Sequence, residues 1–129
     1  MTFVTLTTDF GHKDYSIAVI KAALLSQIPG VNIIDISHQI SPYNHSETAY
    51  ILKNSYAAFP KGSIHIIGVE SEFTQENIHL AMEFDGHFFI GADNGMFSLI
   101  FDAPPEKIVD LTLSQDTDRV TFPTKDVFV

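Results

Sequence analysis

Apolar residues along the 129-residue chain recur in short blocks whose spacing changes from block to block. Phe3-Val4-Thr5-Leu6-Thr7-Thr8 mixes β-branched and apolar side chains and then breaks at Asp9-Phe10-Gly11, which predicts a strand running into a loop. From Tyr15 to Gln27 the period lengthens: Ile17, Ile20, Leu24 and Ile28 fall three or four residues apart, one apolar face of a helix that Pro29-Gly30 ends. Val31 to Ile36 predicts a second strand. Asn44 then stands three residues before Glu47, a spacing that satisfies otherwise unpaired N–H groups at a helix start. Ala49, Leu52, Tyr56 and Phe59 give that helix its buried stripe, and Pro60-Lys61-Gly62 terminates it.

The second half changes character. Ile64 to Val69 predicts a third strand with little alternation, as expected where helices cover both faces of a sheet. Ile78, Leu80, Met82 and Phe84 alternate with period two, and Asp85-Gly86 suits a tight reversal into Phe88-Phe89-Ile90. Beyond Asp102-Ala103-Pro104-Pro105, Ile108 to Leu111 predicts a further strand. Strands and helices that alternate and then give way to a hairpin predict an α/β fold: a three-layer sandwich with a mostly parallel mixed sheet and a late antiparallel hairpin. The length allows one domain, residues 1–129, and the apolar ending Asp126-Val127-Phe128-Val129 carries the expectation that this domain is truncated.

Composition narrows the classes of function. The net charge is −9 and the seven Lys and Arg residues are scattered, so nothing resembles the basic footprint that a phosphate backbone requires. Zero cysteines exclude disulfides and thiolate metal sites; no basic-then-apolar leader and no run of eighteen apolar residues is present, so the expected setting is cytoplasmic, with no membrane partner. His12, His45, His65, His79 and His87 are dispersed without a metal-binding spacing, and no metal is expected. Dinucleotide, triphosphate-loop and serine-elbow signatures are absent too.

Three loops could carry chemistry. Ligands of parallel α/β sheets sit beyond the carboxyl ends of strands, where the loop Thr8 to Asp14 falls. Carboxylates at Asp9 and Asp14 suit sugar hydroxyls or an ammonium group; both residues equally suit capping of the following helix. Gly11 fits either account. In Asp35-Ile36-Ser37-His38-Gln39-Ile40-Ser41-Pro42-Tyr43-Asn44, Tyr43 suits stacking on a base or sugar, or a hydrophobic staple before the Asn44 cap. His38 suits a ligand or proton carrier, or a hydrogen-bonded loop histidine. The third loop is Gly91-Ala92-Asp93-Asn94-Gly95, where Asn94 offers a donor and an acceptor to a small polar ligand, or merely a left-handed turn.

Taken in order, Leu6-Thr7-Thr8-Asp9-Phe10-Gly11 with Asp14, Asp35 through Pro42, and Gly91 through Gly95 resemble the S-adenosylmethionine hydroxide adenosyltransferase family, relatives of fluorinases and chlorinases. The resemblance implies an amino-terminal α/β domain followed by a β-rich domain, in a homotrimer whose sites lie between subunits. S-adenosylmethionine is then a substrate, with no separate cofactor. Asp9 would grip the ribose hydroxyls with Phe10 beside it, Asp14 the methionine ammonium, Tyr43 would pack near the sugar, and Asp93 and Asn94 would complete the pocket. The reaction the resemblance implies is displacement of methionine at the ribose 5′ carbon by water, releasing adenosine.

The chain departs from the family pattern where that water would be handled. Val69-Glu70-Ser71-Glu72-Phe73-Thr74 replaces Val-Asp-Pro-Gly-Val-Gly, so the acid is Glu70; Asn77 stands where the family has Arg, and Pro123 where it has His. Glu70 and Asn77 are the catalytic candidates of this altered set. A non-catalytic S-adenosylmethionine or nucleoside sensor is the competing expectation.

Overall fold

The computed structural model describes residues 3–11, 15–41, 44–68, 78–93 and 96–110. Among them run β1 (Phe3–Thr8), α1 (Ser16–Gln27), β2 (Asn32–Ser37), α2 (His45–Ser55), β3 (Ile64–Gly68), β4 (Ile78–Phe84), β5 (His87–Asp93), α3 (Met96–Ile100) and β6 (Lys107–Asp110), with a single 3₁₀ turn, Tyr56–Ala58, extending α2. One six-stranded sheet has the order β2-β1-β3-β5-β4-β6. Parallel pairing joins β2, β1, β3 and β5, while β4 runs antiparallel to β5 and β6. The α/β class, the mixed sheet and the late hairpin are those expected from the residue pattern.

Alternation within the strands builds the layers. Val4 and Leu6 of β1 point to one face, where they pack with Ile66 against Ile17, Ile20 and Leu24 of α1. On the other face, Ile67, Leu80, Met82 and Phe89 pack under Ala49 and Leu52 of α2 and Phe97 and Ile100 of α3. Helices thus cover opposite faces of the sheet, and the residues of β1 and β3 that alternate with the apolar ones, Thr5, Thr7 and His65, are buried as well. Burying each large side chain contributes roughly 1.5–3 kcal/mol, so the helix stripes rather than intrinsic helix propensity hold the layers together.

Local chemistry sets the boundaries. Asn44 caps α2, its side-chain oxygen accepting the Glu47 N–H at 2.9 Å. The return bond differs from the expected reciprocal box. The Asn44 backbone N–H is already donated to the Ser41 carbonyl, so the Glu47 carboxylate accepts instead from the Asn44 side-chain amide at 3.1 Å and from the Ser41 N–H at 3.4 Å. At the β4–β5 reversal Asp85 and Gly86 have φ of 52° and 77°, the two positive values a type I′ turn demands. Lys61 donates to the Asp85 carbonyl and carboxylate across this turn. The segment Met96–Ile100, whose conformation the residue pattern leaves open, is the short helix α3, carried by Phe97 and Ile100 packing into the core. No helix among the described residues is long and apolar enough to cross a membrane.

Candidate functional site

Strand order locates the crevice. From β1 the chain crosses by α1 to β2 on one side, then returns by α2 over the opposite face to β3 on the other side of β1. This reversal places a topological switch point at the carboxyl ends of β1 and β3, where open α/β sheets bind ligands. Asp9 follows β1 immediately, and its N–H reaches the carbonyl of Gly68, the last residue of β3, at 3.4 Å. Asp93 ends β5, the next strand along. Topology therefore brings Asp9, Gly68 at the end of β3, and Asp93 to one edge of the sheet.

Asp9 and Phe10 are partly buried. The cap position of α1 is Tyr15, which makes no side-chain cap bond, so Asp9 is not the cap residue of that helix. Of the other residues singled out from the sequence, Asp14, Tyr43, Glu70, Asn77, Asn94 and Pro123 lie outside the described residues, as does the segment 111–129. Asp93 is described in its backbone, paired across the hairpin with Ile78.

Beneath the Asp9 loop lies a polar chain that the sequence did not single out as a unit. His38, just beyond β2, is 1% exposed. Its Nδ1 is 2.8 Å from Thr8 Oγ1, and its Nε2 is 2.7 Å from Asp35 Oδ1. Lys21 of α1 donates to the other Asp35 oxygen at 2.7 Å. Partial burial pushes the Asp35 carboxyl up, but the hydrogen bonds and electrostatic influence of Lys21 and His38 outweigh it, leaving the group below its ordinary value. Thr8 Oγ1 in turn accepts the Phe10 N–H at 3.3 Å, and the His38 carbonyl accepts the Gly11 N–H at 2.6 Å. Gly11 has φ +73°, a conformation that glycine adopts without a Cβ penalty. The residue types and the Asp35-x-x-His38 spacing were visible; their partner Thr8 is brought to them by the parallel β1–β2 pairing.

A second polar cluster sits at the opposite end of the sheet. Thr5 Oγ1 lies 2.7 Å from His65 Nδ1, and His65 Nε2 lies 3.1 Å from His87 Nδ1, with the rings of Tyr56, Phe59 and Phe89 around them. Burial, aided by the neighbouring His87, pushes His65 down to about 4; burial and Lys61 also lower His87. Two histidines that the sequence spacing kept apart thus meet in space. Among the described residues, no group of three or more His, Asp or Glu side chains is arranged to hold a metal ion. A hollow of about 490 Å³ between α3 and β6 is lined mostly by apolar side chains, Leu80, Met82, Phe97, Phe101 and Ile108 among them, with Asp102 at its wall.

Known proteins place this geometry in context. Residues 4–129 match the family profile described as the SAM hydroxide adenosyltransferase N-terminal domain. The (R)-S-adenosyl-L-methionine hydrolase of Methanocaldococcus jannaschii is 29% identical over 134 residues, covering 99% of this chain and 51% of that protein. The protein of the same description from Thermus thermophilus is 28% identical over 104 residues, covering 81% of this chain and 40% of the relative. A fluorinase from an Actinoplanes species is 33% identical over 61 residues, 47% of this chain and 20% of that enzyme. The chain thus spans about half the length, or less, of the curated relatives it matches. An uncharacterized conserved protein from Thermotoga maritima shares the fold with a TM-score of 0.86 at 22% identity, over 97% of this chain and 50% of that one. A conserved hypothetical protein from Thermus thermophilus superposes with a TM-score of 0.78 at 28% identity, over 99% of this chain and 50% of its own. With the matched profile running through all five described segments of the chain, this protein belongs to the SAM hydroxide adenosyltransferase family, as its N-terminal domain.

Proposed function

We propose that this chain is the S-adenosylmethionine-binding α/β part of an enzyme that displaces methionine from the ribose 5′ carbon with water. The observation carrying this reading is that the family's Thr8–Gly11 motif stands at the sheet's topological switch point, hydrogen-bonded to the end of β3. In this reading the Asp9 carboxylate accepts hydrogen bonds from the two ribose hydroxyls, with Phe10 and Tyr43 against the sugar. Asp14 pairs with the methionine ammonium, and Asp93 and Asn94 complete the polar wall.

Chemically, the sulfonium is already a good leaving group. Water oxygen forms the bond to C5′ as the C5′–S bond breaks in line, the electron pair neutralises sulfur, and the water proton passes to the Glu70 carboxylate and then to solvent. Adenosine, methionine and a proton result. Glu70 acts by orienting water and accepting its proton, and Asn77 by hydrogen bonding without a full charge. The chain spans about half the length, or less, of these relatives; in this proposal the rest is a β-rich partner domain, and the whole assembles as a homotrimer with sites between subunits.

The replacement of the family's Arg and His by Asn77 and Pro123 favours a second reading, a sensor that binds S-adenosylmethionine without turnover. One experiment separates the two. The full reading frame carrying this chain is incubated with S-adenosylmethionine, products are quantified by chromatography, and binding is measured by calorimetry. Adenosine and methionine in equal amounts, abolished by Asp9→Ala, support the enzyme. Binding without product supports the sensor, and absence of both overturns the reading.

A further inference from the structure

The loop tripeptide Asp9-Phe10-Gly11 has three backbone N–H groups, and each has a partner. Asp9 donates to Gly68 of β3, Phe10 to the Thr8 hydroxyl, and Gly11 to the His38 carbonyl. Two of the three therefore run through His38, one by way of its side chain and Thr8, the other by its own backbone. Burying an imidazole is unfavourable unless its nitrogens are paired, and here both are. The tautomer that donates Nε2–H to the Asp35 carboxylate leaves Nδ1 to accept the Thr8 hydroxyl proton, and the Thr8 oxygen to accept from Phe10.

Carboxylate, imidazole and hydroxyl in series have the connectivity of a hydrolytic triad. Thr8, however, is 0% exposed and its oxygen is already engaged by Phe10, so the hydroxyl is not presented to a ligand. The chain works on the loop instead. Lys21 and Asp35 aim the imidazole from the α1 side, the imidazole orients Thr8, and Thr8 fixes the backbone directly after Asp9.

We propose that His38 is a positioning residue for the Asp9 loop, holding the Asp9 carboxylate pre-organised for a ligand bearing a vicinal diol. The assignment rests on the functional reading above for the identity of that ligand. Its energetic basis is that a loop ordered before binding spares the ligand the cost of ordering it.

Paired substitutions test each arm. An Asn side-chain oxygen falls near Nδ1 and keeps the bond to Thr8, whereas Gln reaches toward Nε2 and keeps only Asp35. In the full-length protein, His38→Gln is expected to weaken adenosine binding about tenfold, as for one lost buried hydrogen bond. It also speeds amide exchange at Phe10 and Gly11. His38→Asn is expected to stay close to wild type in both readouts. Thr8→Val, which removes the hydroxyl at constant shape, reads the same link from the other side and is expected to match His38→Gln. A merely structural histidine gives another pattern: Gln and Asn lower the melting temperature alike while adenosine affinity holds, and that result overturns the proposal. If wild type binds no adenosine, the functional reading fails separately. Exchange at Phe10 and Gly11 then decides: protection kept with Asn and lost with Gln supports the clamp, and equal exchange overturns it.

Discussion

Acid should weaken this domain first through His65, one of the buried His65–His87 pair. The residue is fully buried beneath Phe89 and edge-on to Tyr56, with its nitrogens on Thr5 and His87. Burial, then the neighbouring His87, depresses it from 6.5 to about 4 in the folded state. An unfolded chain takes up this proton below pH 6.5 while the folded chain refuses it until about pH 4. The unfolded state therefore binds more protons throughout that window, and stability falls as pH falls. At 1.36 kcal/mol per pH unit, a window of about 2.5 units corresponds to roughly 3 kcal/mol. Against a typical domain stability of about 5–15 kcal/mol, that loss is readily measured. Carboxylates held below their ordinary value, Asp35 and Asp85, lose their contribution only at lower pH, so the histidine window stands clear of them. The assay is urea unfolding followed by far-ultraviolet circular dichroism between pH 7 and pH 4, with the slope checked for constancy. His65→Gln is expected to be less stable at pH 7 yet to lose roughly 3 kcal/mol less on going to pH 4. Parallel pH profiles for the two proteins would refute the reasoning.

Two smaller predictions concern hydrogen bonding in the scaffold. Thr7 Oγ1 is buried without a partner among the described residues, so Thr7→Val, equal in shape, is expected to leave stability unchanged or raise it by up to about 1–2 kcal/mol. A thermal melt showing a loss of a full kcal/mol or more would mean that the hydroxyl is bonded. Asn44→Ala removes the acceptor that caps α2 and is expected to cost about 1 kcal/mol in urea unfolding, with Asn44→Asp close to wild type. Equal losses for both substitutions would remove the cap from the account.

Much of the fold was legible because the evidence for it is local. Ile17, Ile20 and Leu24 can share a face only if the backbone turns every 3.6 residues, and Ile78 to Phe84 alternate only as a strand, so element types follow from spacing. Asp85-Gly86 specified its own turn, since its positive φ values are a property of those two residues. Met96–Ile100 was not legible in this way: five residues are too few for a period to register, and packing of Phe97 and Ile100 decides the helix.

The site divides along the same line. Asp9, as a carboxylate at the end of a strand, could be found from the sequence, and so could its place in an ordered set of family motifs. Whether Asp9 belonged to a helix cap or to a ligand edge could not, because both roles ask for the same residue type near the same helix. Tertiary structure removed the cap role by putting Tyr15 at the cap, and it set the Asp9 backbone against Gly68 at the end of β3. Likewise His38 and Thr8, thirty residues apart, and His65 and His87, twenty-two apart, become partners only through strand pairing. Local preference acts over a few residues, so sequence by itself determined the longer elements, the turn and the candidate acids. Which polar groups share a buried hydrogen bond is settled by sheet order and register, and these exist only once the chain has folded.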